Sequence, residues 1–267
     1  MTKQHEAPHR ANGTGGGATR LHSALQRAWR SGGIVKVLLE IRRMLLWRLH
    51  HRLLDRLLER AERKHLRETT HLDNLTITSA NKSLGVEYTP TPVLIARLMH
   101  RLVPQPYCDW NFIDIGAGRG RVVAQAARQT YHRVIGVEFA GELARDARAH
   151  IASRRHVFRS PGFVEIIEAD ATRFPIPVGP NVYFLFNPFG AEVMEKFLAR
   201  IGNHAAEHSY PVRIVYYNPV HSSVFESNAQ FRREDIRTRV SIVLRLLSPF
   251  ELRLYSWAGS ENAADRS

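Results

Sequence analysis

Hydrophobic positions follow one period in the first quarter of the chain and another after about residue 110. From about Leu21 to Leu66 they recur at helical spacing. Leu38, Ile41, Leu45 and Leu49 form one row, which Leu46, Leu53, Leu54, Leu57 and Leu58 extend sideways. Gly32 and Gly33 predict a break into a short and a long helix. The stretch before it, residues 1–20, carries glycines and little to bury, so it is expected as a disordered tail. A helix is predicted from Pro92 to about Leu102, ended by Pro104 and Pro106. Short apolar runs then alternate with helical segments. Strands are predicted at Phe112–Ile115, Val134–Val137, Phe163–Glu168, Val182–Phe186 and Val212–Tyr217. Helices are predicted from Arg121 to Gln129, Gly141 to Ser153 and Ala191 to His204. This alternation predicts an α/β fold with a parallel sheet and right-handed crossovers. Arg239–Leu247 and Phe250–Trp257 are two β-rich runs with a short turn between them, so the sheet is expected to finish with an antiparallel hairpin strand. The expected organisation is a tail (1–20), a basic helical region with a linker (21–84), an α/β domain (85–258) and a polar tail (259–267).

Composition narrows the class. At 267 residues the chain holds one full α/β domain and an extra element. The single cysteine, Cys108, excludes an intrachain disulfide framework and a cysteine zinc cluster. A reducing, cytoplasmic setting fits that usage. No run suits a secretory signal or a membrane span. The net charge of +13 is concentrated in one region, with Arg42, Arg43, Arg48, Arg52, Arg56 and Arg60 interleaved among the leucines. Three readings of this basic helix, residues 34–66, stay open. It packs on the main domain with a solvated arginine face, lies on an anionic membrane surface, or contacts nucleic acid or protein.

The stretch Asn111–Ala127 carries the first chemical signal. Phe112–Ile115 reads as a buried strand, Gly116, Gly118 and Gly120 as a tight turn, and Arg121 as the start of a helix. Such a unit binds nucleotides or nucleotide-like cofactors, but Arg121 stands where a dinucleotide fingerprint wants glycine or alanine. Ligands of parallel sheets lie beyond the C-terminal strand ends. Four strand ends here carry suggestive residues: Asp114 with the glycine turn, Glu138, Asp170 beside Ala171, and Asn187-Pro188-Phe189. Each has a plainer reading, namely a surface acid for Glu138, a cap before Thr172 for Asp170 and a turn for Asn187-Pro188. Their appearance in order at successive strand ends favours the functional one.

With these motifs the chain, from about Tyr88 to Trp257, resembles the class I S-adenosylmethionine-dependent methyltransferases. Asp114 to Gly120 is similar to their first motif, Val134 to Glu138 to their second, Glu168 to Ala171 to their third. The resemblance implies a Rossmann-like, mostly parallel sheet with an antiparallel terminal strand, and S-adenosyl-L-methionine as cofactor. It implies that Gly116, Gly118 and Gly120 lie against the methionine part, that Glu138 takes the ribose and that Asp170 and Ala171 take the adenine side. Asp114 would shape the loop and reach the amino group. Tyr88, together with the segment from Phe186 to Val193, is similar to the non-SET histone lysine methyltransferases and their bacterial relatives. Asn187-Pro188 runs directly into Phe189, without the second proline common in amino-group methyltransferases. This departure leaves a protein lysine or a small-molecule amine as acceptor. In that reading Asn187 accepts hydrogen bonds from the amine, while Phe189 and Tyr88 wall off water and favour the sulfonium. The rival readings are a catalytically inactive cofactor-binding domain recruited to a membrane or partner, and an NAD-dependent oxidoreductase. His204 to His208 matches an inverted zinc-protease pattern, but no third ligand is evident and no metal is expected.

Overall fold

The computed structural model describes residues 16–58, 89–103, 105–160, 163–235 and 239–260. Helix α1 spans Gly16–Leu49 and continues through a π-helical turn, His50–Leu54, into α2, Asp55–Leu58. Residues 16–20, expected in the tail, are therefore helical. The helix assignment runs on through Gly33, but that residue has a φ of +61°, a local interruption at the expected place. The tail expected over residues 1–15, the linker between 59 and 88 and the polar tail at 261–267 lie outside the described residues.

The main domain begins with α3, Val93–Leu98, and a 3₁₀ turn, Met99–Leu102. There follow β1 (Asn111–Ile115), α4 (Arg121–Ala126), β2 (Arg133–Glu138), α5 (Gly141–Arg154), β3 (Val164–Glu168), β4 (Asn181–Phe186), α6 (Ala191–His208) and β5 (Val212–Tyr217). The chain then forms α7 (Ser222–Glu226), β6 (Phe231–Glu234), α8 (Arg239–Leu247) and β7 (Leu252–Trp257). The seven strands lie in the order β3-β2-β1-β4-β5-β7-β6. The neighbours from β3 to β5 are parallel, and β7 is antiparallel to both β5 and β6. Two expectations need correction. Arg239–Leu247 is a helix, so β7 has no hairpin partner there. The last strand is antiparallel, as expected, but it is wedged between β5 and the edge strand β6.

The period-two pattern explains the layers. Phe112, Val134, Val182 and Val215 face a core made with α3, α4, α5 and α8. Ile113, Ile135, Tyr183 and Ile214 face a second core made with α6 and α7. β1 and β4 are buried along nearly their whole length, as central strands covered on both faces must be. The polar exceptions are informative, because Asp114 and Glu138 are buried near the C-terminal ends of β1 and β2. Those ends position the site.

Candidate active site

Gly116, Gly118 and Gly120 have φ of +75°, +53° and +76°, a backbone that side-chain-bearing residues rarely adopt. The turn bends the chain over the end of β2, where the Gly116 and Ala117 N–H groups both donate to Val137 O. The glycines differ in what they face. A Cβ on Gly116 would lie 2.9 Å from Pro188 Cβ. A Cβ on Gly120 would lie 3.1 Å from Ala147 Cβ, so Gly120 lets α5 approach rather than a ligand. Gly118 donates its N–H to Glu138 Oε2 at 2.7 Å.

Two adjoining cavities open at the strand ends and share Gly116, Phe139 and Pro188 in their walls. The first is lined by Asp114, Glu138, Arg121, Thr91, Phe186 and Asn187. The second is lined by Asp170, Ala171 and Phe189, with Ala169, Val137 and Val193. Five of the expected residues thus meet in the first cavity and five in the second, with Gly116 and Pro188 common to both. Tyr88 lies outside the described residues. Asp170 also makes the turn that its plainer reading expected, its Oδ1 accepting from the N–H and hydroxyl of Thr172 at 2.8 and 2.7 Å.

Two carboxyls share the first cavity. Burial pushes Glu138 up to about 7, against the N–H groups of Ala140, Gly118 and Phe139, which favour the ionised form. Burial also raises Asp114 well above the usual carboxylate range, and the charge of Glu138 adds to it. At the end of β4, Asn187 has a φ of +42°. Tyr216 OH lies 3.5 Å from Asn187 Oδ1 and accepts the His221 N–H at 3.2 Å, so β5 steadies the Asn187 amide.

The sequence reading missed the support that the N-terminal segment gives to the first cavity's wall. Arg121 is buried in the first cavity's wall, and its Nη1 donates to Asp55 Oδ2 at 2.8 Å and to Thr91 O at 2.9 Å. Asp55, at the start of α2, is itself fully buried, accepting the Val93 N–H at 2.9 Å through Oδ1. His51 Nδ1 lies 3.0 Å from Asp55 Oδ2. Burial alone would raise the Asp55 carboxyl. The His51 contact, the Arg121 charge and the Val93 N–H together hold it below the ordinary range. A second path is aromatic. Phe186 lies 5.7 Å from Phe250, which lies 5.5 Å from Trp47 of α1. Two signals were available in the sequence: Asp55 and Glu40 are the only acids among residues 16–58, and Arg121 occupies a position where a charge is unexpected.

His204 and His208, the zinc-like pair, stand on α6 with ring centroids 4.3 Å apart. Among the described residues no group of three or more His, Cys, Asp or Glu is placed to hold a metal.

An open α/β sheet, covered on both faces, with a glycine turn and acids at its strand ends, defines a nucleotide-type cofactor domain. The antiparallel β7 between β5 and β6 departs from the all-parallel dinucleotide sheet. Residues 113–181, from β1 to the start of β4, match the family described as methyltransferase domain. Residues 113–181 thus carry a methyltransferase domain, with S-adenosylmethionine as its cofactor, in a sheet of the Rossmann-like methyltransferase order. No curated protein matches the chain. Among solved structures it is similar to an RNA methyltransferase from Salinibacter ruber in complex with S-adenosyl-L-homocysteine, at 19% identity over 63% of this chain and 92% of that one, with a TM-score of 0.40. It is also similar to the putative methyltransferase yhhF from Escherichia coli, at 16% identity over 68% of this chain and 90% of that one, with a TM-score of 0.45.

The residues present fit the cofactor. Gly116 faces Pro188 in the wall that the two cavities share, and a Cβ there would crowd Pro188. Glu138 accepts the Gly118 N–H through Oε2 and the Ala140 N–H through Oε1, and its carboxylate keeps acceptor capacity for a ribose hydroxyl. With the cofactor in the two cavities, Asp114 would meet an amino group, and Asp170 with Phe139 would meet a base. When bound, S-adenosylmethionine supplies an electrophilic sulfonium methyl. The chain supplies position, a dry wall of Phe186 and Phe189, and an amide at the rim.

Proposed function

We propose that the domain transfers the methyl group of S-adenosylmethionine to an amine nitrogen, of a protein lysine or a small molecule. The observation that carries this reading is Asn187. Its amide is held in the wall of the first cavity by a left-handed backbone and by Tyr216, beside Pro188 and next to Phe189. An amide oxygen there accepts a hydrogen bond from a neutral amine and aims the nitrogen lone pair at the methyl. Such a transfer needs an unprotonated amine and a fixed line of approach, and no general base is required. The shared motifs of the non-SET histone lysine methyltransferases support the same acceptor chemistry.

Labelled methyl transfer from S-adenosylmethionine to lysine peptides and simple amines, run beside their hydroxyl analogues, tests the acceptor class. The reading expects label on nitrogen. Label on oxygen, or as a base-labile ester, overturns it. Asn187→Ala is expected to lower kcat about a hundredfold, the scale of a misplaced reactant, while cofactor Kd changes less than about threefold. Equal losses in both would make Asn187 structural only.

A further inference from the structure

The leucine row of α1 does not pack on the domain. Leu38 and Leu45 are each 59% exposed and Ile34 is 64% exposed, with Val35, Leu39 and Leu49 also open. The segment docks instead through its other residues. His50 Nε2 lies 2.7 Å from Leu247 O, Arg42 donates to Arg245 O and Leu246 O at 2.5 and 2.9 Å, and Asp55 is buried against Arg121. Docking brings α8 alongside, with Ile242 58% and Leu246 64% exposed.

The charge on this segment is one-sided. Residues 16–58 contain nine Lys or Arg and two acids. Both acids are matched, Glu40 by Arg43 at 2.6 Å and Asp55 by Arg121. Lys36, Arg48, Arg52 and Arg56 are exposed among the open leucines.

We propose that the outer surface of α1, with the end of α8, docks this enzyme on an anionic lipid membrane. Apolar side chains enter the boundary between headgroups and acyl chains, while arginines between them meet lipid phosphates. The charge argues against a second copy of the chain, because two such faces would bring like charges together. The leucines argue against nucleic acid, because they add nothing to a phosphate contact. No described helix is long and apolar enough to cross a membrane, so the contact is peripheral. The proposal is independent of the acceptor's identity.

The test is co-sedimentation of the full chain with vesicles of equal parts phosphatidylcholine and phosphatidylglycerol, and with phosphatidylcholine alone. Binding is expected to the anionic vesicles, falling with salt. Leu38→Gln with Leu45→Gln should reduce it about tenfold or more and leave melting temperature and S-adenosylhomocysteine binding unchanged, since neither side chain is buried. Arg48→Gln with Arg52→Gln should weaken it by a smaller factor. Three outcomes overturn the proposal: no binding to anionic vesicles, binding that the leucine variant retains in full, or a leucine-dependent dimer in sedimentation velocity without vesicle binding.

Discussion

Glu138 sits where burial and backbone donors oppose one another. Its folded value is raised from the ordinary 4.5 to about 7, so its contribution to stability is complete below 4.5 and is lost as pH rises through about 7. The cofactor acts in the other direction. Ribose hydroxyls donate to the ionised carboxylate, so binding favours deprotonation. Affinity for S-adenosylhomocysteine is therefore expected to rise between pH 6 and pH 8, with a proton released on binding at pH 6. Calorimetry in buffers of different ionisation enthalpy measures both effects. Glu138→Gln should flatten the profile, and an unaltered profile in that variant would assign the proton to another group. The motif residues were legible because each lies at the end of a strand within its own short segment. Asn187 and Glu138 needed only local pattern. The Asp55–Arg121 pair was not legible, since its partners are far apart in sequence and meet only through the docking of α2.

At the scale of elements, α2 supports the wall of the cofactor cavity from behind, through the ion pair of Asp55 with the wall residue Arg121. Removing one partner of a buried pair leaves the other charge without compensation, at a cost of about 3–5 kcal/mol. Asp55→Ala should therefore lower stability by about that much and weaken cofactor binding, read by chemical denaturation and calorimetry. Loss of stability with unchanged affinity would confine Asp55 to docking. Because the Asp55 carboxyl is held below its ordinary value, the stabilisation is present above that value and fades as pH falls through the folded one. The misread elements have local causes. Arg239–Leu247 is rich in β-branched and leucine residues, yet Ser241 and Leu244 point inward three positions apart, a helical period. Its setting beside α3 and α1 overrides propensity. β6 offered little to read, with Phe231 the one buried position in four residues.

Across the whole molecule, chemistry and charge occupy different places. The strand ends hold Asp114, Glu138 and Asp170, whereas the excess of arginine lies on α1 and its continuation. The N-terminal segment joins them, since its Asp55 holds the wall residue Arg121 while its outer residues stay exposed. That the first five strands are parallel was readable from alternation, but their order and the position of β7 were not, because only the folded sheet shows which strand lies beside which. The central claim is that these strand ends hold S-adenosylmethionine rather than a dinucleotide. Isothermal titration of the full chain with S-adenosylmethionine, S-adenosylhomocysteine and NAD tests it most directly. The expected result is one site per chain for each sulfur compound, abolished by Gly116→Val, and no comparable binding of NAD. Tighter binding of NAD than of either sulfur compound would contradict it.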